Sequence, residues 1–137
     1  MIRTFATAYG SFAVVFLAMD AVWLTVMADR LYRPSIGHLM RADGFSTAPA
    51  VLFYVLYVAG AVAFAVRPGL ESGSAAVALG WGALLGLLAY ATYDLTNQAT
   101  LRDWPWQVTI ADLCWGSFVT AVASGAACYA ALRWGSN

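Results

Sequence analysis

The sequence predicts an all-α integral membrane protein, a four-transmembrane-helix bundle with both termini on the same side. Three observations lead there. The chain of 137 residues is 62% hydrophobic and only 10% charged, whereas a soluble domain carries roughly 25% charged residues, so it cannot cover a water-facing surface. Its mean hydropathy is +0.72. The apolar residues fall into four stretches, near 4–28, 48–66, 75–96 and 106–134, each supplying the ~20 residues that cross a bilayer core. Residues 1–137 therefore read as a single transmembrane domain, with the lipid bilayer as its surroundings and no nucleic-acid partner.

The first stretch follows Arg3 as a signal peptide would. It is long, is interrupted by Asp20, and lacks a convincing small-residue cleavage pattern, so a retained first span is expected. After it, "LYRPSIGHLMRADGF" mixes Leu31, Ile36, Leu39 and Met40 with Arg33, His38 and Arg41. That mixture suits a short helix over 31–41 lying in the membrane interface, its arginines reaching the headgroups. "STAP", Ser46 to Pro49, then offers a capping hydroxyl and a proline for the first turn of the second span. "RPGLESGS", Arg67 to Ser74, reads as a turn. The third span ends in the polar run "YDLTNQATLRDWPW", whose tryptophans are expected as interfacial belt residues before the fourth span begins.

Four spans put the termini and the 67–74 turn on one face of the membrane, side A, and the two longer loops on the other, side B. Three arginines fall on side A (Arg3, Arg67, Arg133) and four on side B (Arg30, Arg33, Arg41, Arg102). A positive-inside assignment needs a clear bias, so orientation stays open. All seven cationic side chains are arginine. Without lysine the chain builds neither a retinal or pyridoxal Schiff base nor a phosphate loop of the GxxxxGK type. Cys114 and Cys128 lie fourteen residues apart on one helix, about 21 Å along its axis, and cannot form a disulfide. No HxxxH or ExxH spacing indicates a metal site, and the sequence names no cofactor.

Three aspartates fall within or at the edge of spans. An intramembrane carboxylate costs about 2.5–3.5 kcal/mol on insertion scales, so each asks for a reason. Asp20 is late in the first span, Asp94 late in the third and Asp112 early in the fourth, so alternating directions place all three in the side-B half. Asp20 lies roughly 13 Å and Asp112 roughly 9 Å below the nearest loop, by helical rise. Aromatic and polar residues share their faces: Tyr9, Phe16 and Trp23 with Asp20, Tyr90 and Asn97 with Asp94, and Thr109 and Gly116 with Asp112. Trp23 and Trp115 each follow an aspartate by three positions. The expected result is a pocket open toward side B, with a carboxylate floor, aromatic walls and a rim at Tyr93, Asp94 and Asn97. Its ligand-binding candidates are Asp20, Trp23, Tyr90, Tyr93, Asp94, Asn97, Asp112 and Trp115. Asp20, Asp94, Asp112 and His38 are the candidates for any catalytic role. Gly82 with Gly86, and Gly116 with Thr120 and Ser124, form small-residue rows suited to close bundle packing or to a homodimer face.

Several of these segments carry a resemblance. "FYVLYVAGAVAFAV", "YDLTNQATLRDWP" and "DLCWG", with "DAVWL" and "GHLM" earlier, resemble the DUF2177 family of small bacterial membrane proteins across almost the whole chain. The resemblance implies four spans and a bacterial inner (cytoplasmic) membrane, multi-pass, and brings no activity with it. Three functions fit the residues. The first is binding or transport of a small molecule or amphiphile, proton-coupled through Asp20 and Asp112 and, for transport, dimeric. The second is an enzyme acting on a lipid or isoprenoid-like substrate, with Asp94 and Asp112 as acid and base and His38 or Arg102 orienting a headgroup. The third is a structural or assembly subunit whose polar cluster specifies packing.

Overall fold

The computed structural model describes residues 1–135. Four long apolar helices account for nearly all of them: α1 (Ile2–Leu39), α2 (Thr47–Ser72), α3 (Ala75–Thr100) and α4 (Trp106–Trp134). The chain thus folds as an all-helical membrane protein with four spans. Thr4 Oγ1 donates to the carbonyl of Gly135 at 3.0 Å, tying the two chain ends together on side A.

Helix α4 is the centre of the molecule. It packs against α3 along most of its length and against α1, and Val108, Val119, Ala123, Ala127 and Ala131 are fully buried along it. On α1, Ala8, Phe12 and Phe16 are also fully buried, and the Phe12 and Phe16 rings stack with centroids 5.5 Å apart. Apart from Val108, these residues, with Val58, Ala61, Val62 and Val66 of α2, make one apolar core. Large apolar side chains such as Val14, Leu56, Phe64, Leu88, Ile110 and Phe118 point outward. Such an exterior suits hydrocarbon, where it needs no cover.

Small residues set the spacing of α3 and α4. A Cβ added at Gly82 would come within 2.5 Å of Ser124 Oγ, one at Gly86 within 2.1 Å of the Gly116 carbonyl oxygen, and one at Gly116 within 2.1 Å of the Tyr90 ring. Gly82, Gly86, Gly116, Thr120 and Ser124 therefore face one another inside the chain and are buried. They are not a homodimer face, because their own neighbouring helix already occupies them.

The structure departs from the sequence reading in four places. Residues 31–41 are not a separate interfacial helix: α1 continues through a π-helical turn at Ala28–Tyr32 into Arg33–Ile36 and a 3₁₀ turn at Gly37–Leu39. The widened turn absorbs the break that a change to mixed polar sequence suggests. Likewise α2 runs through a second π-helical turn, Val62–Val66, to Ser72, so most of "RPGLESGS" is helical and only Gly73, at φ +65°, turns the chain. Pro68 falls just after the π-helical turn, whose widened hydrogen-bond pattern accommodates a residue with no N–H to donate. Ser46 is the N-cap of α2 by position, but its side chain makes no capping hydrogen bond. Trp106 is 61% exposed, as a belt residue would be, while Trp104 is buried at 6% and packs on Ile36 and Val108.

Candidate functional site

The α3–α4 register decides what lies at the side-B end. Moving along the pair, Gly82 meets Ser124, Gly86 meets Thr120 and Gly116, and Tyr90 meets Gly116. The next turn of α3 carries Asp94 and the preceding turn of α4 carries Asp112, so two antiparallel helices in this register set the acids opposite each other. The two carboxyl groups are close enough to interact with one another. One turn further, Thr109 Oγ1 donates to Gln98 Oε1 at 2.8 Å. Trp104 Nε1 donates to Thr109 Oγ1 at 3.1 Å, and Gln98 Nε2 to the Trp104 carbonyl at 2.6 Å. This closed ring of bonds seals the end of the pair.

Beside Asp112 lies a cleft of about 290 Å³, lined by Asp20, Trp23 and Leu24 of α1, Tyr32 and Ile36 of its extension, Tyr54 of α2, Tyr90 and Tyr93 of α3, Trp104 of the last loop, and Asp112 and Trp115 of α4. All these positions belong to the side-B halves of their helices or to side-B connections. Toward side A the cleft gives way to Phe12, Phe16 and Val119 of the apolar core, with the Tyr57 and Thr120 hydroxyls bonded at 2.8 Å.

Each acid in the cleft has its own donors. Tyr54 Oη donates to Asp20 Oδ2 at 2.6 Å and Trp115 Nε1 to Asp20 Oδ1 at 3.3 Å. Tyr32 Oη donates to Asp112 and itself accepts from Trp23 Nε1 at 2.8 Å. The Trp23 and Trp115 indoles stack at 4.5 Å with an 8° interplanar angle, bridging the Asp20 and Asp112 sides. Nine residues separate Trp23 from Tyr32, about two and a half turns of straight α-helix, which would put them on opposite faces. The π-helical turn between them carries Tyr32 back over the cleft. Asp94 differs from the other two acids. It is fully buried behind Asp112, and no donor among the described residues reaches either of its oxygens.

Of the residues expected from sequence, Asp20, Trp23, Tyr90, Tyr93, Asp112 and Trp115 line the cleft. Asp94 stands behind it, and Asn97 interacts with Tyr93 without lining it. His38 lies elsewhere: its Nε2 is 3.4 Å from Asp103 Oδ2 on the exposed surface of the side-B loops. Among the described residues no three His, Cys, Asp or Glu side chains converge as a metal-ligand set. Leu24, Tyr32, Ile36, Tyr54 and Trp104 are cleft residues that the helical stripes did not single out. The i, i+4 pattern on α2 signals nothing about Tyr54, whose helix carries no acid in its side-B half, and the π-helical turn that aims Tyr32 has no periodicity of its own.

A model of one protein family matches residues 5–129, nearly the full length of the four-helix unit. The chain belongs to the DUF2177 family of predicted membrane proteins. No curated protein and no solved structure matches this DUF2177 member. The family assignment agrees with the four spans and makes the chain an integral membrane protein; the chemistry of the cleft has to come from its own residues.

Proposed function

We propose that this DUF2177 protein binds a small, positively charged amphiphile in the side-B cleft, within the bacterial cytoplasmic membrane that the resemblance implies. The observation that carries the reading is the lining. Among the described residues two carboxyl groups and no arginine or histidine line the cleft, while the remaining wall is almost entirely aromatic. Carboxylates supply the charge that attracts a cation, and indole and phenol faces add cation–π attraction of ~2 kcal/mol where water is excluded. Leu24 and Tyr93 at the rim are 45% and 57% exposed, which offers an apolar tail a way out toward the acyl chains. The dry core below the cleft makes binding one-sided; transport requires that Phe12, Phe16 and their neighbours part.

The stacked Trp23–Trp115 pair provides the readout. Benzyltrimethylammonium, titrated into the protein in lipid nanodiscs, should change tryptophan emission saturably. Phenylmethanesulfonate, similar in size and opposite in charge, should not. Equal responses to the two ions, or no saturable response to the cation, would overturn the proposal.

A further inference from the structure

Asp94 is the one acid that the binding reading leaves without a task. It is fully buried, both of its oxygens lack a donor, and it faces the carboxyl group of Asp112. An ionised carboxylate only accepts hydrogen bonds, whereas a protonated one also donates. Two ionised carboxylates face to face would repel and leave Asp94 with no partner at all, which a buried polar group rarely tolerates. A single hydrogen between them satisfies both. Asp112 has room for it, since Tyr32 donates to it from the far side.

We propose that Asp94 and Asp112 hold one proton between them, and that a cation entering the cleft exchanges for that proton. This rests on the cation-binding reading and assigns its counter-ion. The steps balance: the O–H bond of the shared hydrogen breaks, the proton leaves by way of Asp112 and the cleft to water on side B, and the charge of the cation beside Asp112 takes over from the proton in offsetting the repulsion between the two carboxylates. Asp20 has two donors of its own, so the pair left to share a hydrogen is Asp94 with Asp112 rather than Asp20 with Asp112. The titratable groups around the pair are Asp20 and Tyr32 from α1 and its extension, Tyr54 from α2, and Tyr90 and Tyr93 from α3. Among the described residues no cationic side chain stands with them, so the cation or the proton balances the second acid.

Two measurements separate this proposal from the one beneath it. Without any ligand, infrared spectroscopy of the nanodisc-embedded protein should show the carbonyl band of a protonated, buried carboxylic acid, shifted in D₂O and missing from Asp94→Asn. Absence of that band from the unmodified protein overturns the shared proton whether or not a cation binds. In weakly buffered solution, benzyltrimethylammonium should release about one proton per cation bound, and whatever cation Asp94→Asn binds, at any affinity, should release none. Binding without release in the unmodified protein, or unchanged release in Asp94→Asn, overturns the exchange. If Asp94→Asn does not fold, Asp112→Asn is read in its place for loss of the band and of proton release. Failure of the cation to bind overturns both the exchange and the binding reading, and leaves the infrared result to judge the shared proton alone.

Discussion

The two ends of the α3–α4 pair share one register and do different things with it. Toward side A, glycines meet serine, threonine and backbone at distances that leave no space for a methyl group. Toward side B, the same register sets Tyr90 over Gly116, Asp94 against Asp112 and Gln98 against Thr109. The first half makes close van der Waals contact, the main attraction available between helices in lipid. The second half spends that closeness on polar groups that would be costly anywhere else in the membrane. Thus the small-residue half is the scaffold, and the acids stand where they do because the glycines fix the distance between the helices.

The comparison can be broken most severely from the scaffold side. Gly86→Leu should abolish folded protein, since even a Cβ there would lie 2.1 Å from the Gly116 carbonyl oxygen. Size-exclusion chromatography in mild detergent reads this directly as loss of the monodisperse peak. Next in size is Trp104→Ala, which deletes a buried indole and opens the Gln98–Thr109 ring; about 3–5 kcal/mol of stability should be lost, by analogy with large-to-small changes in other cores. Thermal or denaturant unfolding in detergent measures it. A smaller effect is expected from Tyr57→Phe, which removes only the hydroxyl contact to Thr120 below the cleft. Interhelical hydrogen bonds in membranes average about 0.6 kcal/mol, so its melting curve should shift slightly while cation affinity is kept. The smallest belongs to Arg67→Ala, which breaks an exposed i, i+4 pair with Glu71 on side A. Such pairs contribute about 0.3–0.5 kcal/mol, and neither unfolding nor binding should move beyond that.

Much of this division could be read in the sequence. Four spans follow from apolar length, and the placement of Asp20, Asp94 and Asp112 in one half of the membrane follows from counting crossings. The DxxW spacing correctly put an indole one turn from Asp20 and from Asp112, and those two indoles stack on each other. What stayed illegible depended on how helices are rotated and joined. Gly82 and Gly86 have the same spacing whether they meet α4 or a second chain. Trp104 and Trp106 sit two residues apart in one interfacial motif, yet one is buried beneath Ile36 and the other faces outward. Tyr32 reaches Asp112 only because a π-helical turn redirects it, and no hydrophobic period encodes that turn. His38 followed its loop to Asp103 rather than to the acids, as an exposed side chain with a nearby carboxylate will.

The most direct test of the account is the affinity of nanodisc-embedded protein for benzyltrimethylammonium with and without the two acids of the cleft. Asp20→Asn/Asp112→Asn keeps the size of both side chains and leaves every glycine contact of the scaffold in place. Equilibrium dialysis of the folded double variant should give a Kd at least tenfold weaker than that of the unmodified protein, a loss of about 1.4 kcal/mol or more. An unchanged Kd in a double variant that melts like the unmodified protein would contradict the account, and would make the aspartates packing elements like the glycines beneath them.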